Sequence, residues 1–588
     1  MVASDDFDEL IKEVDSLRGS RSQASAGDET GTDSSTFELA PDEIGRVAIH
    51  DELFVSTTEH RIDVYVPNGR RDDVGVGQYV VIPLDYREEL IFGFIEKLAY
   101  RKRDELDDMS EVHVLVGADD VGEGDYIQLA RVAPITQIRA NRTPAEVRHV
   151  PKPNALVREV TERDEVLIGL DIPDKGLFLG FVAVNGEAIT FGSDIKVPYY
   201  LVNDAEKTGD PILFTHTLIA GMSGRGKTHV AKNFLRQIVG STYTLERRGG
   251  EQRKPAIVVI DPENEYWQLR DEPSAARAPG DGAREELLGV GGKYGGVGDK
   301  LTVFAATETG TSYRGCDAYT EFTLPFSLVR DFPYLIAGGE LNEAQYAALE
   351  RLVRDFFNST DDPRYVAFER FLEDETEMAH YLDSGIVHEA TLGAIKRRVL
   401  RQSFKNVFDQ GGNSLLDLAE DAFAEDRVSV FATDHLSAEA ERVVVLAVMS
   451  MVADAKTKSL SQDWARRIAR LPVALAVDEA HNYLTQAETQ QERIIVGKFI
   501  AAAKQGRKNR LGLTLITQNP QDVHEGVLSQ ISTRILLGMD EAMAEHAGAP
   551  KHFQKALPYF ERGRMVVASP DNSHPVELQG LPFCVVRH

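Results

Sequence analysis

A chain of 588 residues is too long for one compact domain and can bury a large core, with room for about three to four units. Its two cysteines, Cys316 and Cys584, are too few and too far apart for a disulfide framework or a paired-cysteine metal cluster, so a reducing compartment is expected. The formal net charge of −29 excludes a uniformly basic surface, and any nucleic-acid contact must come from local clusters of Lys and Arg. Met1–Arg18 is acidic where a secretory signal needs a basic start and an apolar centre. The most apolar run, Val443–Ala453, is too short to span a bilayer, so a cytoplasmic protein without membrane contact is expected.

Residues 1–38 read as an acidic tail. Phe7, Leu10, Ile11, Val14 and Leu17 fall on one face of a short amphipathic helix, and Ser20–Thr36 has too few large apolar residues to offset chain entropy. Residues 39–160 carry short alternating runs, "GRVAIHDELFV", "RIDVYVP", "GQYVVIP", "LIFGFIEKL" and "VHVLVGA", between Gly, Asp and Pro turns; a small β-barrel is expected. From 161 to 321 and again from 426 to 588, apolar strands alternate with helices, the pattern of an α/β parallel sheet. Residues 322–425 between them are mostly helical in pattern. There Asn342 and Gln345 form a capping signature ahead of Tyr346, Leu349, Val353 and Phe356 on one face.

In "HTLIAGMSGRGKTHVAKNFL" the spacing G-x-x-x-x-G-K-[ST] is met by Gly221, Gly226, Lys227 and Thr228, after a strand (Leu218, Ile219) and at the head of a helix (Val230, Phe234, Ile238). Strand, glycine loop and helix in that order form a P-loop. Backbone N–H groups from Gly221 through Ser223, Gly224, Arg225 and Gly226 wrap phosphate oxygens, and the helix N-terminus faces the negative charge. Lys227 reaches the β- and γ-phosphates, and Thr228 ligates Mg²⁺. Arg225 and His229 complete the loop and read as solvated or structural. The expected ligands are therefore ATP and Mg²⁺.

Two strands end in acids. "LPVALAVDEAHNYL" has adjacent acids, so Asp478 is expected to hold the metal and Glu479 to act as base on the attacking water. "AIVVIDPENEY" ends in Asp261, with Glu263 and Glu265 behind it, and offers Asp261 and Glu265 as a second acidic pair, or merely a turn after a buried strand. "LGLTLITQNP" puts the neutral amide of Gln518 at a strand tip, where it can bond the γ-phosphate and move when that leaves. A DEAH-box RNA helicase is disfavoured, because the acids follow the P-loop by too many residues and no arginine-rich second motif comes after them. Basic clusters suited to DNA are Lys396, Arg397, Arg398 and Arg401 on one helix, and Arg247, Arg248, Arg253 and Lys254 in a loop.

Together, "HTLIAGMSGRGKT", "VVIDPENEY", "AVDEAHNYL", "GRKNRLGLTLITQNPQDV" and "GRMVVASPDNSHPVELQ" behind a barrel resemble the HerA branch of the HerA/FtsK motors, from about Ile44 to the C-terminus. The loop departs from the usual "GxTGSGKS" look, and "PEN" stands where "PHG" is common. The resemblance implies an additional-strand RecA-like P-loop NTPase core with an N-terminal HAS-like barrel and a helical insertion. It also implies a homo-hexameric ring that translocates or unwinds double-stranded DNA, partnered by a NurA-like nuclease in end resection and recombinational repair. Acid excess with arginine ahead of lysine is similar to proteins of salt-adapted archaea. In such rings a neighbour's arginine neutralises phosphate charge. Arg507 resembles the family's "GRK" element and takes that role, with Arg510 as fallback. Competing expectations are a transport ATPase of the type IV secretion or conjugation kind and an ATP-gated module of a defence complex.

Overall fold

The structure, a computed structural model, describes residues 40–49, 52–56, 58–102, 126–192, 194–203, 211–246, 249–339 and 341–588. The N-terminal amphipathic stretch, the run "VHVLVGA", and Arg247 and Arg248 lie outside the described residues.

Six antiparallel strands form the first unit: β1 (Glu43–Ala48), β2 (His60–Val66), β3 (Tyr79–Leu84), β4 (Glu89–Lys102), β5 (Tyr126–Ile138) and β6 (Leu156–Glu159). They pair in the order β2-β1-β6-β3-β4-β5, and β5 returns to β2 to close a barrel. Ile62, Val64, Val80, Ile82, Ile91 and Val132 fill its interior, the inward half of each alternating pattern. In the long β4–β5 pair the register shifts at Phe92/Gly93, where Gly93 faces Pro134. A Cβ on Gly93 would lie 2.6 Å from the Ala133 carbonyl oxygen, so the bulge requires glycine there.

Helix α1 (Arg163–Gly169) leads into the core sheet, whose strands in chain order are β7 (Leu177–Val184), β8 (Pro198–Leu201) and β9 (Thr217–Ala220). Helix α2 (Lys227–Ile238) follows, then β10 (Ala256–Asp261), β11 (Leu301–Ala306) and β12 (Thr320–Phe322). A helical block, α3 (Glu343–Ser359), α4 (Tyr365–Glu373), α5 (Glu375–Asp383) and α6 (Glu389–Val399), precedes β13 (Val428–Ala432) and α7 (Ala438–Thr457). The chain ends with α8 (Asp463–Ala469), β14 (Val473–Val477), α9 (Gln490–Asn509), β15 (Leu511–Thr517), β16 (Thr533–Leu537), β17 (Arg564–Ala568) and β18 (Val576–Gln579).

The sheet order is β7-β18-β17-β16-β9-β15-β14-β10-β13-β11-β12, with β8 on β7. From β16 to β12 the strands are parallel; β17, β18, β7 and β8 add antiparallel pairs at one side. Strands β10, β14 and β15 are buried at every residue, which explains their unbroken apolar sequences: helices cover both faces. The apolar run Val443–Ala453 is the centre of α7 and lies wholly inside the core. Among the described residues no helix is long and apolar enough to cross a membrane. The inserted block starts where Asn342 accepts from the Gln345 N–H and Gln345 reciprocates, both at 3.0 Å.

The barrel is packed on the core rather than tethered to it. Tyr79, Val81 and Phe92 join Leu167 of α1 and the β7 residues in one apolar cluster. Phe94 of β4 packs against His574 and His552, with ring centroids 5.0 and 5.8 Å away.

Candidate functional site

Strand β9 is central, with β15 on one side and β16 on the other. Its C-terminal end turns into the glycine loop. Gly224 and Gly226 adopt φ +77° and +101°, a backbone that side-chained residues rarely take, so the loop can curl before α2 begins at Lys227. Gly221 is needed for a different reason: a Cβ there would lie 2.8 Å from Cβ of Leu537 on β16.

A cavity of about 340 Å³ opens over this loop. It is lined by Ser223, Gly224, Gly226, Lys227, Thr228 and His229 on one side, and by Glu263, Glu265, Asp478, Glu479 and Gln518 on the other. The acids arrive because β15, β14 and β10 follow β9 in the sheet and end at the same edge. Strand β15, which Gln518 directly follows, lies between the P-loop strand and the Asp478 strand, the additional strand of this fold class.

Lys227 is 9% exposed, and its pKa is lowered by burial against the opposing pull of Glu479, Asp478 and Glu265. Its ammonium makes no hydrogen bond among the described residues. Asp478 accepts the Glu479 N–H at 2.9 Å. Burial first, then the charge of Glu479, pushes its carboxyl up to about 8. Glu479 sits at φ +45°, a left-handed conformation costly for a non-glycine residue, and its buried Oε2 has no hydrogen bond. Lys227, an unclaimed cation, thus faces clustered carboxylate oxygens and one orphaned acceptor. This donor set fits a nucleoside triphosphate with Mg²⁺, a hard ion that keeps water and phosphate ligands. No cage of three His, Cys, Asp or Glu side chains exists among the described residues, and Mg²⁺ bound through a hydroxyl and phosphates needs none.

The remaining expected residues divide. His229 lines the cavity, its Nδ1 3.6 Å from Cys584 Sγ, and burial pushes its imidazole down to about 4. Arg225 turns away from the cavity and donates to the Phe560 carbonyl at 3.0 Å, so its side chain supports the loop from behind. Asp261 is spent on a turn: it accepts from the N–H groups of Glu265 (3.0 Å) and Tyr266 (2.8 Å), leaving Glu263 and Glu265 to face the cavity. Arg507 is exposed at the end of α9, across β15 from Gln518 and outside its own chain's cavity; its Nη2 lies 3.5 Å from Ser532 Oγ. Arg510, the fallback, is 1% exposed, bonded to the Thr244 carbonyl and stacked over Phe214, so it cannot reach a neighbour.

Three residues at the site were not among those expected from the motifs. Arg562, in the turn before β17, is exposed and points a second cation at the cavity; His588 lines the same wall. His481 sits beside the acid pair, with Nδ1 3.2 Å from Glu479 Oε2 and 3.1 Å from Thr517 Oγ1. The adjacency of the acid strand and the "TQ" strand was the available hint for His481. Arg562 had none, because its place depends on the antiparallel return of β17.

The basic clusters are partly consumed within the chain. Arg398 is buried, bonded to Glu439 and the Ala337 carbonyl, with Arg401 3.7 Å from the same Glu439. Arg253 pairs with Glu251 and Glu425, and Lys254 with Asp426.

Residues 208–452 match the family model of the central domain of helicase HerA. The probable DNA double-strand break repair helicase HerA of Methanocaldococcus jannaschii is 37% identical over 75 residues, 13% of this chain and 14% of that protein. The DNA double-strand break repair helicase HerA of Saccharolobus solfataricus is 23% identical over 141 residues, 24% of this chain and 26% of that one. These matched segments thus span about a seventh to a quarter of the relatives' length. Among solved structures, VirB4 of Thermoanaerobacter pseudethanolicus is 16% identical with a TM-score of 0.43, covering 69% of this chain and 96% of that one. The conjugative coupling protein TrwB is 12% identical with a TM-score of 0.44, covering 70% and 95%. The family-model match and the HerA relatives agree: residues 208–452 of this chain are similar to the central domain of helicase HerA.

Proposed function

We propose that the chain hydrolyses ATP and couples the cycle to movement along double-stranded DNA, as a homo-hexameric ring acting with a nuclease on DNA ends. One observation carries the hydrolytic part: Lys227 and Thr228, Asp478 with Glu479, and Gln518 come from three adjacent strand ends to one cavity. Lys227 and the loop N–H groups hold the β- and γ-phosphates. Thr228 and Asp478 would hold Mg²⁺, which would neutralise phosphate charge. Glu479 takes a proton from the attacking water, and Gln518 senses whether the γ-phosphate is present. The names of the HerA relatives support DNA as the track. The test is ATP turnover with and without duplex DNA, together with electron microscopy of the same samples. Turnover stimulated by duplex, abolished in Lys227→Ala, and a ring with density through its centre are expected. Turnover indifferent to DNA and no ring would overturn the motor reading while leaving an ATPase.

A further inference from the structure

We infer that a cavity at the edge of the core sheet opposite the glycine loop is a second phosphate site, built for a ligand that carries more than one negative charge. It goes beyond the ATP reading and does not depend on it. The cavity, of about 420 Å³, lies where α7, α8 and α9 end and where β15 begins at Leu511. Its size falls within the ~300–1,000 Å³ of small-molecule sites. Strand β15 is seven residues long, about 20 Å at ~3.3 Å per residue, and only its far end reaches the nucleotide cavity through Gln518. The two sites are therefore separate.

The described residues that line the cavity include five cations, Lys456, Lys458, Arg470, Lys508 and Arg510, and no carboxylate. A neighbouring cavity that shares Arg470 gives the contrast, because Glu420, Asp421, Glu425 and Asp463 stand there among the arginines. Helix ends use only part of this charge. The C-terminal carbonyls of the three helices carry about half a negative charge each, and two of the cations serve such carbonyls: Lys456 donates to those of Leu471 and Ala469, Arg510 to that of Arg507. Lys458 lies 2.8 Å from Asp454 Oδ2, but Lys498 holds the same carboxylate at 2.6 Å. The side chains of Arg470 and Lys508 are exposed and make no ion pair or hydrogen bond among the described residues. Lys456 is only 5% exposed, and burial with no opposing carboxylate pushes its ammonium down to about 7. A lysine is rarely buried so fully without an anion beside it. A phosphate group supplies what is missing, with up to about two charges and several acceptor oxygens where a carboxylate brings one charge.

The probe is inorganic pyrophosphate, titrated by calorimetry into the full chain after a non-hydrolysable ATP analogue and Mg²⁺ have filled the glycine loop. Arg470→Ala with Lys508→Ala removes two exposed cations, and Gln505→Glu adds a carboxylate to the lining at an exposed position, so neither variant threatens folding. Arg351→Ala with Arg354→Ala, both exposed on α3, makes the same change in net charge elsewhere. Pyrophosphate binding is expected to weaken at least tenfold in the first two variants and to stay unchanged in the third. A parallel titration with a short DNA duplex identifies the source of the phosphates. Weaker duplex binding with a flatter salt dependence in the cavity variants assigns them to a nucleic-acid backbone, and unchanged duplex binding assigns them to a free phosphate compound. If neither pyrophosphate nor duplex responds to Arg470→Ala with Lys508→Ala, or if the α3 variant weakens both equally, the site is overturned.

Discussion

The Nδ1 of His481 lies 3.2 Å from Oε2 of Glu479, the one carboxylate oxygen of the acid pair that is buried without a hydrogen bond. Because the same nitrogen is 3.1 Å from Thr517 Oγ1, it ties the end of β14 to the end of β15. Glu479→Gln should bind ATP and lose hydrolysis by about 10²–10⁴-fold, the usual contribution of a general base. His481→Ala should lower turnover by roughly 10- to 100-fold, the cost of losing an orienting partner, while ATP affinity stays within about twofold. Steady-state kinetics with nucleotide titrations check both. An unchanged rate in Glu479→Gln would move the base to Glu263 or Glu265.

Arg507 stands outside its own chain's cavity, and among the described residues its guanidinium makes one long contact, to Ser532, which leaves it available to a neighbouring subunit. Arg507→Ala should bind ATP normally and lose about 10³-fold or more in rate. Mixing it with Glu479→Gln should restore part of the activity, because some interfaces then combine an intact Arg507 from one subunit with an intact Glu479 from the other. No recovery on mixing, with normal turnover in Arg507→Ala alone, places the finger elsewhere.

His216 donates from Nε2 to the Ala503 carbonyl (2.9 Å) and accepts the Leu513 N–H on Nδ1 (3.0 Å), an arrangement open only to neutral imidazole. Burial pushes it down to about 4. The unfolded chain takes up the proton first as pH falls below about 6.5, so stability present above that pH is lost toward pH 4, by up to ~3 kcal/mol. Urea unfolding at pH 7.5 and 4.5 should show a smaller drop for His216→Gln than for the unaltered chain. Gly506→Ala tests the same joint. Its Cβ would lie 2.5 Å from His216 Cε1 and 2.6 Å from the Leu511 carbonyl oxygen, an overpacking that costs about 1–3 kcal/mol.

For DNA, the two basic clusters should behave differently. Arg253 and Lys254 are held by Glu251, Glu425 and Asp426, so Arg253→Ala with Lys254→Ala should leave the salt dependence of duplex binding unchanged. Arg397 is exposed on α6 beside the half-buried Lys396. Replacing that pair by alanine should flatten the slope of log affinity against log salt by about 0.9 for each phosphate that is no longer neutralised. The reverse pattern would exchange the two assignments.

The P-loop and the acid pair were legible in the sequence because their chemistry is local. Glycines at a fixed spacing set the curl of the loop, and a buried apolar strand followed at once by Asp478-Glu479 places both carboxylates at a strand tip. The capping pair Asn342 and Gln345 was readable for the same reason. Four barrel strands could be read from alternation, but β5 and β6 could not: Pro134 interrupts the pattern of β5, where the bulge opposite Gly93 accommodates it, and β6 is only four residues long. The fate of isolated charges was also hidden. Whether Arg398 faces solvent or Glu439, and whether Asp261 meets a ligand or caps a turn, depends on which distant backbone comes alongside. Arg562 belongs to this second kind: strand order brings it to the cavity over the glycine loop from far along the chain, and no local spacing encodes it.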